Sequence, residues 1–200
     1  MKRQTRTEIP TAEQVTALAA AMPSGKYEAM VLVSAWCGLR FGETTELRRS
    51  DFVVDDEGLP TTLRVRRAVS RPGREFVVGT PKSDAGLRDV VIPPHVQPVL
   101  QAYLNMLPDD PQALVFPATR TGSHMQPSSL YKPFYRARRE VGLPSLRWHD
   151  LRHFAGTTAA VAGATMGEVM ARLGQSTHAG GDAVPGRCSE SGCGDCVGAV

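Results

Sequence analysis

His149 and Arg152 stand three positions apart in Leu146-Arg147-Trp148-His149-Asp150-Leu151-Arg152-His153-Phe154, a spacing that puts both on one face of a helix. A pair so placed can address a single anion: the imidazole handles a proton, and the guanidinium meets negative charge with a two-pronged hydrogen bond. The same spacing also arises where a helix starts near Asp150 and merely exposes a His and an Arg, so the pair gains weight only from its company. Two more cations stand upstream. Arg40, in Gly38-Leu39-Arg40-Phe41-Gly42-Glu43, falls where the chain can turn and aim a side chain into a cleft; a plain ion pair with Glu43 is the structural alternative. Lys82, in Thr80-Pro81-Lys82-Ser83, sits in a loop between strand candidates, where a solvated lysine is the alternative to one that enters a groove.

The elements that must position these residues read as helix, short strands, then helix again. Thr11 and Gln14 form a capping box before the apolar face of Val15, Leu18, Ala19 and Met22. A strongly apolar segment from Lys26 to Gly38 predicts a central core helix, and a short helix runs on through Leu47. Between Asp51 and Pro93 the period changes to alternation, with strand candidates Leu63–Val69, Glu75–Val78 and Leu87–Ile92 separated by Pro- and Gly-bearing turns. This predicts a small three-stranded antiparallel sheet that concentrates Arg64, Arg66, Arg67, Arg71, Arg74, Lys82 and Arg88. Helices follow from Pro94 to Leu107, from Ser128 or Ser129, from His149 to Ala162, and from Met166 to Leu173, with a brief extended piece at Ala113–Pro117. On the helix after Ser129, Tyr131, Lys132, Tyr135, Arg136, Arg138 and Arg139 interleave aromatic and basic side chains, a pattern shared by core packing and by contact with backbone phosphates.

Composition sets the outer bounds. The chain has 200 residues, 42% of them hydrophobic, enough for one real core. Twenty-three basic residues against twenty acidic ones give a net charge of +3, compatible with a polyanionic partner without requiring one. No apolar run has membrane-spanning length and no secretory signal opens the sequence, so a cytoplasmic protein with no membrane partner is expected. Cys188, Cys193 and Cys196 are spaced C-x4-C-x2-C, but a fourth ligand is not at hand, and no metal is expected.

Taken in order, Gly38-Leu39-Arg40-Phe41-Gly42-Glu43, Thr80-Pro81-Lys82-Ser83, His149-Asp150-Leu151-Arg152-His153 and Leu173-Gly174-Gln175-Ser176 resemble the catalytic domain of tyrosine recombinases, the phage integrase family. The likeness runs from about Thr7 to Ala179. It implies a mixed α/β fold, mainly helical with a small three-stranded antiparallel sheet: the DNA breaking-rejoining catalytic fold. It also implies double-stranded DNA as partner, an oligomer of recombinase copies on that DNA, and a reaction without metal, nucleotide or other cofactor. In this family a tyrosine hydroxyl attacks a DNA phosphodiester, leaving a 3′-phosphotyrosyl link and a free 5′-hydroxyl. Arg40 and Arg152 match the two arginines that hold the phosphate, Lys82 the general acid for the leaving oxygen, and His149 the group that assists the tyrosine or the phosphate. Gln175 stands where the family usually has His or Trp; its amide can donate a hydrogen bond but cannot carry a proton.

The nucleophile itself is not matched. It is expected about nine residues beyond Gln175, near Val184, yet the tyrosines are Tyr27, Tyr103, Tyr131 and Tyr135, all upstream. One permissible set of codons for Gly180 to Pro185, read one base out of frame, gives Ala-Ala-Met-Arg-Tyr, the family's usual approach to its tyrosine. The expected organisation is an arm or linker remnant at 1–9, a catalytic domain at 10–179 and a disordered tail at 180–200, either frameshifted or a native variant in which the tyrosine was lost by drift. Covalent cleavage is expected to fail in the chain as written, the alternative function being a non-catalytic DNA-binding remnant that occupies sites or joins a full-length recombinase assembly.

Overall fold

The computed structural model describes residues 9–80 and 84–175. Lys82 and the whole 180–200 segment, with its three cysteines, lie outside them, as does the 1–8 part of the arm.

Helix α1 (Ala12–Ala20) begins as its sequence requires: the Thr11 backbone N–H donates to Gln14 Oε1 at 2.8 Å, and the Gln14 N–H donates to Thr11 Oγ1 at 3.3 Å, which satisfies two N–H groups that the first turn leaves orphaned. Its buried Val15, Leu18 and Ala19 pack on α2 (Gly25–Trp36). Every residue of α2 from Ala29 to Ala35 is buried, so this helix is enclosed on all sides rather than amphipathic. The one hydroxyl in that stretch, Ser34, is paired with Thr44 Oγ1 of α3 (Phe41–Glu46) at 3.0 Å.

The sheet differs from the sequence expectation in its strands, though three-stranded and antiparallel. It has the order β1 (Phe52–Val54), β2 (Pro60–Val65), β5 (Arg88–Val91), with β2 central. The two strands β3 (Ala68–Ser70) and β4 (Val77–Gly79) form a separate hairpin. The predicted strand 63–69 is therefore broken in two. Arg66 and Arg67 mark the break, held by Asp89 at 2.5 Å and by both Asp51 oxygens at 2.9 Å, and two anchored side chains here redirect the backbone from one sheet to the next. Leu63 pairs with Val90 and Val65 with Arg88, so that Leu63, Val65, Val90 and Ile92 are buried on one face.

Four helices complete the fold: α4 (Gln97–Leu104), α5 (Pro127–Glu140), α6 (Trp148–Val161) and α7 (Met166–Leu173). Helix α5 begins at Pro127, ahead of the predicted Ser128 or Ser129, because proline's fixed φ and missing N–H suit the first helical position. It buries Leu130, Phe134 and Ala137, while Tyr131 and Tyr135 stack at 5.5 Å and Arg138 lies over the Tyr135 ring at 4.2 Å. Helix α6 lies on α2, and α7 folds back on α6 through a small separate apolar cluster of Ala155, Val169 and Leu173. No helix among the described residues is long and apolar enough to cross a membrane, and no group of three or more His, Cys, Asp or Glu among them is placed to hold a metal ion.

Candidate active site: arginines around a buried carboxylate

The site begins at α3. Its first turn carries Glu43 inward, where the side chain is 1% exposed, a position that a carboxylate occupies only with cationic partners. Arg88 of β5 supplies most of the compensation, its Nη2 donating to Oε2 at 3.0 Å and its Nη1 to Oε1 at 3.3 Å. Arg40 donates its backbone N–H to Oε2 at 2.8 Å and its Nη1 to Oε1 at 2.7 Å. Arg152 stands 3.8 Å from Oε2, beyond hydrogen-bonding range. Burial pushes the Glu43 pKa up, but the hydrogen bonds and charge of Arg88, followed by the bonds from Arg40, outweigh it and hold the group below its ordinary 4.5.

Three guanidiniums thus face one carboxylate, a local excess of positive charge built into the interior. Arg152 shows the strain of that arrangement: burial, then the repulsion of Arg40, bring its pKa down to about 10, with Glu43 working the other way. It remains charged at neutral pH. The Arg152 side chain is 4% exposed and that of Arg40 is 44% exposed, so one cation lies at the floor of the site and the other at its rim.

The end of α7 completes the enclosure. Three successive carbonyls there accept from the three arginines: Arg172 O from Arg88 Nε at 2.8 Å, Leu173 O from Arg152 Nη2, and Gly174 O from Arg40 Nη2 at 3.2 Å. The last carbonyls of a helix have no partner within it and carry the negative end of its dipole, so each guanidinium both caps α7 and is fixed by it. Gly174 adopts φ +59°, and its N–H and that of Gln175 bond back to Ala171 O and Met170 O, each at 3.0 Å, a Schellman turn. A Cβ at Gly174 would lie 2.8 Å from both Ala85 O and Arg88 Nη1. Arg152 also donates to Gly38 O at 2.5 Å, which ties the α2–α3 junction to the same point.

On α6, Asp150 is buried and caps the helix, accepting from the Arg147 N–H at 2.8 Å and from its guanidinium at 2.8 and 3.1 Å. That bond sets the first turn so that Leu151 and Arg152 point inward. His149 stays exposed, with its ring edge-on to His153 at 4.9 Å between centroids. Partial burial, then the neighbouring His153 and Arg152, hold the His149 pKa below 6.5, against the pull of Asp150. Its imidazole is therefore neutral at physiological pH and able to accept a proton.

Of the expected site residues, Arg40 and Arg152 come together through Glu43 and the α7 end, His149 precedes Arg152 by one helical turn, and Gln175 is exposed one residue beyond the carbonyl that Arg40 holds. The Arg40–Glu43 ion pair offered as the structural alternative is made. Glu43 as the centre and Arg88 as the third cation were missed. The signal for Arg88 was present: with Val90 and Ile92 it occupies the inward positions of an alternating strand, and an inward arginine requires a carboxylate.

Comparison with known proteins agrees with this architecture. The model of the phage integrase family matches residues 9–179. The prophage phiRv2 integrase of Mycobacterium tuberculosis is 46% identical over 169 residues, covering 84% of this chain and 44% of its own length. The integrase of Mycobacterium phage L5 is 42% identical over 154 residues, covering 76% of this chain and 41% of its own length. The chain thus spans less than half the length of these curated relatives. In fold it is similar to the Tn1549 transposon integrase solved with circular intermediate DNA, at a TM-score of 0.69 and 18% identity, covering 88% of this chain and 62% of that one. The XerA recombinase gives a TM-score of 0.64 at 21% identity, covering 88% and 57%. With a family match across 9–179 and a fold similar to those solved recombinases, the chain belongs to the phage integrase family and has the tyrosine recombinase catalytic fold.

Proposed function

We propose that the chain is the catalytic domain of a site-specific DNA recombinase, spanning 10–179, that holds a backbone phosphate of double-stranded DNA between Arg40 and Arg152. The observation that carries this reading is the excess of guanidinium over carboxylate at Glu43, with one arginine at the floor and one at the rim. Strand exchange at a phosphodiester concentrates negative charge on the non-bridging oxygens of a five-coordinate phosphorus. Guanidiniums already fixed by Glu43 and by the α7 carbonyls meet that charge without reorganising. His149, neutral at rest, accepts the proton of an attacking hydroxyl, Lys82 protonates the leaving 5′-oxygen, and Gln175 adds a neutral hydrogen bond to the phosphate. The chemistry uses no metal or cofactor. Assembly of several copies on paired DNA sites in the cytoplasm goes with this function.

In the chain as written, cleavage stops at binding. Tyr103 is buried with its hydroxyl on Val115 O at 2.6 Å, and burial pushes its pKa far up; Tyr131 and Tyr135 are stacked on α5 and Tyr27 lies against Lys26. None stands in the family's position for the nucleophile, which supports the reading of a protein that binds DNA without cutting it.

The test is fluorescence anisotropy with a labelled duplex over a range of salt. Binding is expected to weaken steeply with salt, and Arg40→Gln with Arg152→Gln is expected to lower the log–log slope by about one. Binding indifferent to these two residues, in variants whose melting shows them folded, refutes the phosphate assignment. A nicked duplex supplies the second arm: a covalent protein–DNA adduct from the chain as written overturns the claim that it cannot cleave.

A further inference from the structure

We propose that Arg88 is a positioning residue that acts as the counter-ion of Glu43, and so keeps the charge of Arg152 available for the phosphate. This rests on the reading of Arg40 and Arg152 as the phosphate-holding pair. Glu43 has two oxygens, and Arg88 donates to both, at 3.0 and 3.3 Å. Arg152 is left 3.8 Å from Oε2, close enough to feel the carboxylate and too far to be bound by it. The Arg88 guanidinium cannot drift from this post. Its Nε is held by Arg172 O at 2.8 Å, its Nη1 by Gly86 O at 3.1 Å, and its side chain is 5% exposed.

Without Arg88 the buried carboxylate has one strong partner, Arg40, and one unpaired cation within reach. A shift of about 1 Å closes Arg152 onto Glu43 as a full salt bridge. The cation at the floor of the site is then spent on an internal anion, and the incoming phosphate must compete with a carboxylate already in place. Arg88 is thus an arginine that never needs to touch DNA and yet sets how strongly its neighbour does.

The experiment measures duplex affinity for Arg88→Gln, Arg88→Lys and the pair Arg88→Gln with Glu43→Gln, with thermal melting in parallel. Arg88→Gln is expected to bind about tenfold more weakly, and adding Glu43→Gln to restore affinity to within about threefold, because the competing carboxylate has gone. A purely packing role predicts no such rescue. Arg88→Lys keeps the compensating charge though not the two-pronged contact, and is expected to weaken binding by less than Arg88→Gln does, about threefold to fivefold. Full affinity in Arg88→Gln, failure of Glu43→Gln to rescue it, or a tenfold loss in Arg88→Lys each overturns the proposal, the last even where Arg88→Gln does not fold. If the parent chain binds duplex no better than Arg40→Gln with Arg152→Gln, the phosphate assignment itself falls. If binding depends on those two and not on Arg88, only the role of Arg88 is lost.

Discussion

Replacing Glu43 by Gln removes one negative charge and almost no volume, and the structure sets the cost. Arg88 and Arg152, with side chains 5% and 4% exposed, would lose the one acidic partner they share among the described residues while Arg40 remains beside them. Breaking a buried pair by deleting one partner costs about 3–5 kcal/mol, since the remaining charge stays buried without compensation. For a chain of this size each kcal/mol moves the melting temperature by about 2–4 °C, so Glu43→Gln is expected to melt roughly 6–20 °C lower. The exposed pair Arg136–Glu140, at 2.9 Å with side chains 85% and 48% exposed, is the control: Glu140→Gln is expected to change stability by less than about 0.5 kcal/mol. The pH dependence follows from the direction of the Glu43 shift. Its folded-state pKa lies below the ordinary 4.5, so the carboxylate contributes its full stability above that value and loses it as pH falls through the lower, folded value. The gap between parent and Glu43→Gln is therefore flat from about pH 5 to 8 and narrows in acid. Inorganic sulfate should raise the melting point of Glu43→Gln more than that of the parent, by occupying an arginine nest that has lost its own anion. A loss no larger than the Glu140 control, or a gap that widens in acid, refutes the account of the site as guanidiniums organised by one carboxylate.

Two further outcomes follow from the same geometry. In an NMR titration the His149 ring is expected to protonate below 6.5, and Arg152→Gln is expected to move its midpoint upward by removing a repelling cation; a downward move contradicts the placement of the two on one helical face. Gly174→Ala meets both a positive φ and a 2.8 Å approach to Ala85 O, and is expected to cost about 2–5 kcal/mol, the sum of left-handed strain and overpacking. Gly163→Ala, at φ +92° in open space, is expected to cost about 1–2 kcal/mol; equal losses at the two positions in denaturant unfolding would show that the close approach at the α7 end plays no part.

Local rules carried the sequence reading a long way. The capping box of α1, the enclosed α2 and the paired His149 and Arg152 on α6 follow from caps and periods within a few residues of one another, and the structure contains all three. The sheet was harder, because Leu63 to Val69 is a continuous strand pattern. What breaks it is the anchoring of Arg66 to Asp89 and of Arg67 to Asp51, partners that only the fold brings close. Glu43 was read as the ion-pair partner of Arg40, which it is. Its larger role depends on Arg88 and Arg152 arriving from β5 and α6, and no window along the chain contains that meeting. The inward position of Arg88 on an alternating strand was the one local sign of it.

The three carbonyls at the α7 end give Arg40, Arg88 and Arg152 a second employment. Each satisfies a backbone group that would otherwise be left orphaned where the helix stops, so the loss of any of them would unsettle the fold at that point as well as the proposed phosphate site. An intact set of these arginines is consequently the mark of a stable helix end, whether or not the chain that carries it can cut DNA.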